Sequence, residues 1–470
     1  MRNKRFDLVL GPAFFLLFCV LPLPFPFAVR GTFGTLFWMT WWWVRRPVHL
    51  GVTGFIPILV CAVFGLAPVS KMLPSYASPI VLLIMGADML TVSWAQWGLD
   101  RRIAVKALCV IGADVRQQVV VWFVVAVMLS IFLPNVVVGA ILCPVAVAML
   151  RHVGLGGEIG KSRISISILL AIGWGASLGG FGSPMGGAMN LLTIGFIERI
   201  TGHEYVYSTW VVNMFPILMA CTLATSLYLI SFKYEQKSLP GTKEYFAEEF
   251  RKLPPMSIAE KVCLWLFLTA NALAFFRPLY DTLLPTLVPA YAFLLCGFLT
   301  FVLPAGAEGK RISTWEYACP KLMWGLYYLF AGGLALGELL SVTGAGAAVA
   351  DMIAGFNVNG SFGLVVIFTV FASFLGNITS NTAAVAITLP IVVQITQGFG
   401  LNPIPFLYIT SVACNQAYIL PTSVRAIPVG YGLDPADMVW PGWVVVLLNC
   451  AITIGLGYLF LLYWPRFSLA

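Results

Sequence analysis

The sequence predicts an all-α integral membrane protein of about eleven transmembrane helices plus two re-entrant hairpins in an inverted repeat. Three observations predict it. The chain is 60% hydrophobic and only 10% charged, against about 25% charged residues in a soluble domain. A protein this apolar cannot cover its own surface, so lipid must solvate it. Two apolar stretches are too long for one crossing and carry polar or proline residues at their middles. Those two middles share a pattern: Asn135 stands nine residues before Pro144, and Asn381 nine residues before Pro390.

A crossing needs ~20 apolar residues. Such stretches lie near 7–28, 31–44, 48–68, 78–98, 165–197, 209–231, 262–276, 284–304, 321–340, 402–431 and 441–464. The run from Leu8 to Ala28 follows a basic start, as a signal peptide would. It is long and bulky and lacks a small-residue cleavage site, so it reads as the first membrane helix. The stretches 117–150 and 361–398 are the hairpins, with Pro134-Asn135 at one tip and Thr379-Ser380-Asn381-Thr382 at the other. The division that follows is scaffold helices in 1–77, a first repeat in 78–231 (hairpin 117–150, broken helix 165–197), and an amphipathic cytoplasmic linker in 232–261. Scaffold helices in 262–304, a second repeat in 305–431 (hairpin 361–398, broken helix 402–431) and a final helix at 441–464 complete it.

Charge orients this layout. With the N-terminus in the cytoplasm, Arg30, Lys71, Arg199, Arg277 and Arg466 fall outside and Arg425 stays in the membrane. The rest of the 27 Lys and Arg residues lie in the cytoplasm, the bias that orients bacterial-type inner-membrane proteins. Making either hairpin a full crossing spoils the bias. The net charge of +8 thus belongs to topology rather than to nucleic acid, for which no basic stripe with interleaved aromatics exists. Ten cysteines without a CxxC pair indicate neither zinc nor a disulfide framework.

Each hairpin follows a helix with early glycines, Gly86 in one half and Gly332-Gly333 in the other. Each precedes a broken helix, interrupted over Ser177–Asn190 in the first half and Pro421–Arg425 in the second. An odd number of crossings separates the two units, so they are inverted, and inverted repeats with discontinuous helices place substrate and ion sites near the midplane. Backbone at that depth must line a cavity or be buried. Half-helix N-termini favour anions, while exposed carbonyls and Asn, Ser and Thr oxygens suit a hard cation such as sodium. The expected substrate contacts are Asn135, Ser183, Ser380, Asn381, Thr382 and Arg425. The expected sodium contacts are Ser130, Asn135, Gly180, Thr379 and Asn381. Arg425 is costly in a membrane and either grips a substrate carboxylate or sulfate, replaces a bound cation, or pairs with Asp88 or Glu338. Asp88 either relays protons or pairs locally.

Rival readings are weaker. Gly175-Ala-Ser177-Leu-Gly179 matches the GxSxG pattern of serine hydrolases, but His49, His152 and His203 all sit near helix ends. An anion channel would need a continuous pore, which nothing in the sequence marks or excludes. A sodium/proton antiporter of related architecture rests on the intramembrane Asp88.

The chain resembles the divalent anion/sodium symporter family, from Trp41-Trp42 to the last helix. The resemblance is carried by Trp97-Gly98-Leu99-Asp100-Arg101-Arg102-Ile103-Ala104, Ser177-Leu178-Gly179-Gly180, Gly332-Gly333-Leu334-Ala335-Leu336 and Thr379-Ser380-Asn381-Thr382-Ala383 with Leu389-Pro390. It implies secondary, elevator-type, sodium-coupled transport of dicarboxylates, tricarboxylates or sulfate. It also implies a homodimer in the inner (plasma) membrane and no organic cofactor. Members carry Ser-Asn-Thr at both tips to hold substrate and flanking sodium ions. Here the first tip reads Pro134-Asn135-Val136, Phe181 replaces a Thr or Ser, and Arg425 aligns with an Asn. Fewer hydroxyls and an added cation suit an exchanger or fewer coupled sodium ions.

Overall fold

The structure, a computed structural model, describes residues 4–306, 310–346, 348, 360–421 and 423–469. Among the described residues there is no strand, only two isolated bridges. Eight of their helices are long and apolar enough to cross a bilayer. The chain is a multi-pass, all-helical membrane protein.

The N-terminal part comprises α1 (Lys4–Val20), α2 (Phe27–Arg45) and α3 (Ile56–Phe64). The stretch expected as one crossing at 48–68 is interrupted: Leu50–Thr53 form a separate turn of helix before α3. Then follow α4 (Pro79–Trp97) and α5 (Leu99–Leu108). Gly98 between them has φ 73°, a left-handed conformation that lets the chain turn sharply. The polar α5 was not among the expected crossings, and its charged pattern accounts for that.

The first hairpin is α6 (Val115–Phe132) and α7 (Asn135–His152). Asp114 starts it by accepting a hydrogen bond from Gln117 N at 2.9 Å, and Pro134 ends the first arm because proline cannot continue the backbone ladder. Next come α8 (Arg163–Gly179) and α9 (Ala188–Thr201), with an irregular stretch at 180–187 inside the expected break, and then α10 (Tyr207–Ile230). The polar linker contains one amphipathic helix, α11 (Thr242–Lys252). A capping box formed by Ser257 and Glu260 opens α12 (Ile258–Phe275), followed by α13 (Pro289–Leu299) and α14 (Trp324–Val342).

The second hairpin is α15 (Gly360–Ile378) and α16 (Asn381–Gly398). It leads into α17 (Pro403–Asn415), capped by the Asn402 side chain. The second break starts earlier than the sequence suggested: regular helix stops at Asn415, and only short helical turns at Ser423–Arg425 and Ala426–Gly430 resume before α18 (Pro435–Tyr463). Thr422, within the expected break, lies outside the described residues. Pro421 and Pro428, which cannot join a backbone ladder, lie where a second long half-helix would form.

Packing repeats between the halves. In each, the first hairpin arm lies along the half-helix that precedes the break, α6 on α8 and α15 on α17. Glycine allows both contacts. A Cβ at Gly179 would strike the Val127 carbonyl, and one at Gly376 the Cys414 carbonyl, so the backbones meet at small-residue distance. The halves also exchange partners: α9 packs on α16, and the Ala426–Gly430 turn packs on α7. These exchanges accompany the meeting of both helix–helix turns at one cavity.

Candidate functional site

Both tips line one cavity of about 300 Å³, at the small end of the ~300–1,000 Å³ typical of ligand pockets. Tip one contributes Phe132, Pro134, Asn135, Val136 and Val137, and tip two contributes Ser380, Asn381 and Thr382. Met185, Ala188, Met189 and Leu191 come from the first break and α9. His49, Leu50, Asp88, Thr91, Met323 and Gly325 close the opposite wall.

The second tip is held by a polar network. Ser380 caps α16, its hydroxyl accepting from Ala383 N at 3.2 Å. Asn381 is buried and donates from Nδ2 to Asn415 Oδ1 at 2.6 Å. Asn415 in turn donates to the Ser177 carbonyl at 2.6 Å. One chain of amides therefore joins the second tip to both broken helices. Thr379 donates to the Trp43 carbonyl at 3.0 Å, tying the tip to α2. Asn381 Oδ1 is buried without a hydrogen-bond partner among the described residues. A carboxamide oxygen in that position suits a cation or a donating ligand group.

The first tip is built differently. Asn135 is only half-buried, and no side-chain hydrogen bond joins it to another described residue. Pro134 has no N–H to meet the Ser130 carbonyl one turn back. That carbonyl turns toward the first break: a Cβ at Gly186 would run into the oxygens of Ser130, Gly180 (2.9 Å) and Ile131 (3.0 Å). Asn190 donates to Gly180 O and Ser183 O, both at 2.7 Å, and its Oδ1 is buried without a hydrogen-bond partner among the described residues. The Ser130, Gly180 and Ile131 carbonyl oxygens thus come together around Gly186 beside tip one, oxygen donors of the kind that a hard cation takes.

Of the expected substrate contacts, Asn135, Ser380, Asn381 and Thr382 line the cavity, whereas Ser183 and Arg425 do not. The Ser183 hydroxyl donates to the Ile131 carbonyl, clamping the break to the first hairpin arm. Arg425 is fully buried and donates to the Gly376 carbonyl at 3.2 Å. Of the expected sodium contacts, Asn135 and Asn381 line the cavity. Ser130, which donates to Ala176 O at 2.7 Å, together with Gly180 and Thr379, stands behind it. Asp88 faces the cavity with its carboxylate held at 2.7 Å by both Met323 N and Tyr327 OH, and Glu338 pairs with Arg199 at 3.4 Å. Ser177 donates to the Asn415 carbonyl at 3.5 Å rather than to a histidine, which removes the basis of a serine-protease reading.

Sequence reasoning missed His49, Asn190 and Asn415. The only signal for Asn190 was its place at the end of the glycine-rich break. Asn415 carried none.

The chain is similar to known transporters. A family profile described as citrate transporter (CitMHS) matches residues 37–413. The chain is 26% identical to the sodium-dependent dicarboxylate transporter SdcS of Staphylococcus saprophyticus, over 97% of this chain and 92% of that protein. It is 27% identical to SdcS of Staphylococcus aureus strain MW2, over 97% and 91%. Among solved structures, the Alcanivorax borkumensis YdaH transporter superposes with a TM-score of 0.53 at 12% identity, covering 84% of this chain and 88% of that one. Neisseria gonorrhoeae MtrF does so with 0.57 at 14% identity, covering 95% and 94%. At those identities the two structures speak to the fold alone.

Proposed function

The chain belongs to the citrate transporter family as a divergent, divalent-anion-symporter-like member, and from that premise we propose that it carries small dicarboxylate-class anions through the cavity between its hairpin tips, coupled to sodium. It is a secondary anion transporter, not an enzyme. The observation that carries the finer reading is the shared cavity: residues 246 positions apart, Asn135 and Asn381, face the same space from two separate hairpins.

Substrate carboxylates dock between Asn135, Ser380 and Thr382, where amide and hydroxyl donors outnumber charges. The co-transported sodium sits beside tip one, among the Ser130 and Gly180 carbonyls and Asn190 Oδ1. At tip two the equivalent place is taken. Gly376 stands five residues before Asn381, as Ser130 stands five before Asn135, and Arg425 already donates to its carbonyl. A tethered guanidinium there supplies the charge that a second sodium would bring. The inverted, hairpin-based layout supports movement of the tips and broken helices as one body past the N-terminal, α4, α12, α13 and α14 helices, in an elevator within an inner-membrane homodimer with its N-terminus in the cytoplasm.

The test is uptake of labelled succinate, citrate and sulfate into proteoliposomes with and without an inward sodium gradient. The expected result is dicarboxylate uptake driven by sodium, with a Hill coefficient of about one for the single site. Uptake indifferent to sodium but dependent on internal anion overturns coupling in favour of exchange. No uptake of any tested anion overturns the substrate class.

A further inference from the structure

Away from the transport cavity, α6 begins and α10 ends at one level, joined by Val115 N to Lys237 O at 3.0 Å and Leu239 N to Ala113 O at 2.8 Å. Both helices are apolar enough to cross a bilayer, so this junction lies where a crossing meets the headgroup layer. A separate cavity of about 590 Å³ opens there. It is lined by Asp114, Val115, Arg116, Lys233, Tyr234, Gln236 and Lys237.

The charge in that cavity is unbalanced. Arg116, Lys233 and Lys237 form no ion pair among the described residues. Asp114, the one acid in the lining, caps α6 through Gln117 N, so the three cations still outnumber it in the cavity wall. The nearby Glu235 accepts from Arg163 N at 2.8 Å. Three cations, one of them an arginine with a forked donor set, match a phosphate group. Tyr234 lies half-buried beside them with its hydroxyl donating to Leu229 O at 2.9 Å, the amphipathic posture of an interfacial aromatic.

An apolar track leads to the same place. On α10 the side chains of Phe215, Met219, Leu223, Leu227 and Ile230 are all exposed. Their spacing of three or four residues puts them on one face of the helix, ending one turn below the cationic cavity. A soluble phosphate has no use for such a track; two acyl chains do.

We propose that this cavity binds the headgroup of an anionic phospholipid, with the phosphate among Arg116, Lys233 and Lys237 and the acyl chains along the exposed face of α10. Because α6 continues to the first tip and α10 follows the first broken helix, the lipid braces the body that carries the transport cavity. Juxtamembrane cations contribute about 1 kcal/mol each toward anionic lipid, so loss of all three weakens binding about a hundredfold.

The experiment titrates detergent-purified full-length protein with phosphatidylglycerol, phosphatidylcholine or inorganic phosphate and follows the thermal unfolding midpoint. The midpoint should rise with phosphatidylglycerol alone. Arg116→Gln/Lys233→Gln/Lys237→Gln should need about a hundredfold more of that lipid. Lys233→Arg/Lys237→Arg should behave as the native chain. A control removing three cations from α11, Lys243→Gln/Arg251→Gln/Lys252→Gln, should keep the native response. Equal stabilisation by both lipids, or by inorganic phosphate, overturns the assignment, as does an unchanged titration in the triple glutamine variant.

Discussion

The two hairpin tips occupy matching places and are built on opposite plans. Tip two reads Ser380-Asn381-Thr382, and its polar atoms are ordered by a chain of amides running to Asn415 and Ser177. Tip one reads Pro134-Asn135-Val136, is capped by no side chain, and leaves Asn135 free to face the cavity. One turn before each tip a backbone carbonyl is released from the helix. At tip one it joins other oxygens around Gly186; at tip two it meets Arg425. The two tips thus differ in charge: backbone oxygens gather beside the first, and a guanidinium stands beside the second. On the proposed reading, the first tip binds an ion and the second holds the substrate in a fixed frame.

The comparison breaks most visibly at Asn381. Asn381→Ala removes the cavity's ordered amide and strands Asn415 Oδ1, and uptake should fall to background while the purified variant still unfolds cooperatively near the native temperature. Arg425→Asn comes next. A buried arginine at membrane depth costs ~2.5–3.5 kcal/mol, so its removal lifts that desolvation cost while deleting the fixed charge. Uptake should then depend on sodium more steeply, with the Hill coefficient rising by about one. A variant whose sodium curve is unchanged would make Arg425 a purely structural residue. Asn415→Ala leaves the Asn381 amide and the Ser177 carbonyl without partners, each costing ~1–3 kcal/mol when buried. The apparent affinity for substrate should weaken by about tenfold or more, measured as a raised KM with a smaller change in kcat. The mildest change sharpens the contrast: Val136→Thr restores a hydroxyl at tip one, and substrate affinity should improve by no more than about threefold, since one hydrogen bond nets ~0.5–1.5 kcal/mol.

Much of this is legible in the sequence. Composition marks the membrane class, and Pro134-Asn135 and Thr379-Ser380-Asn381-Thr382 at the middles of two overlong apolar stretches coincide with the two helix breaks. Those signals are local: a proline that ends the first arm and a capping serine that starts the arm after the second tip. What stayed hidden is relational. That Asn415 reaches both Asn381 and Ser177 depends on α17 lying against α15 and α16. That His49 and Asp88 close the far wall depends on how α4 and the Leu50–Thr53 turn pack against α14. Arg425 stands out as a buried charge, but the Gly376 carbonyl to which it donates, on the hairpin of its own half, carries no mark in sequence because every residue has one. The second break also begins five residues early, at Gln416 rather than Pro421, since the 417–420 run that follows is as apolar as the helix before it.

The account depends on both tips touching the same substrate. Cys19, Cys109 and Cys319 are the only part-exposed cysteines, the other seven being buried; replacing those three with serine gives a quiet background. In it, Val136→Cys and Thr382→Cys can be labelled separately with a membrane-permeant maleimide, with and without a transported dicarboxylate. The shared cavity predicts that the dicarboxylate slows labelling at both positions over the same concentration range. Protection at one tip with the other untouched would contradict it.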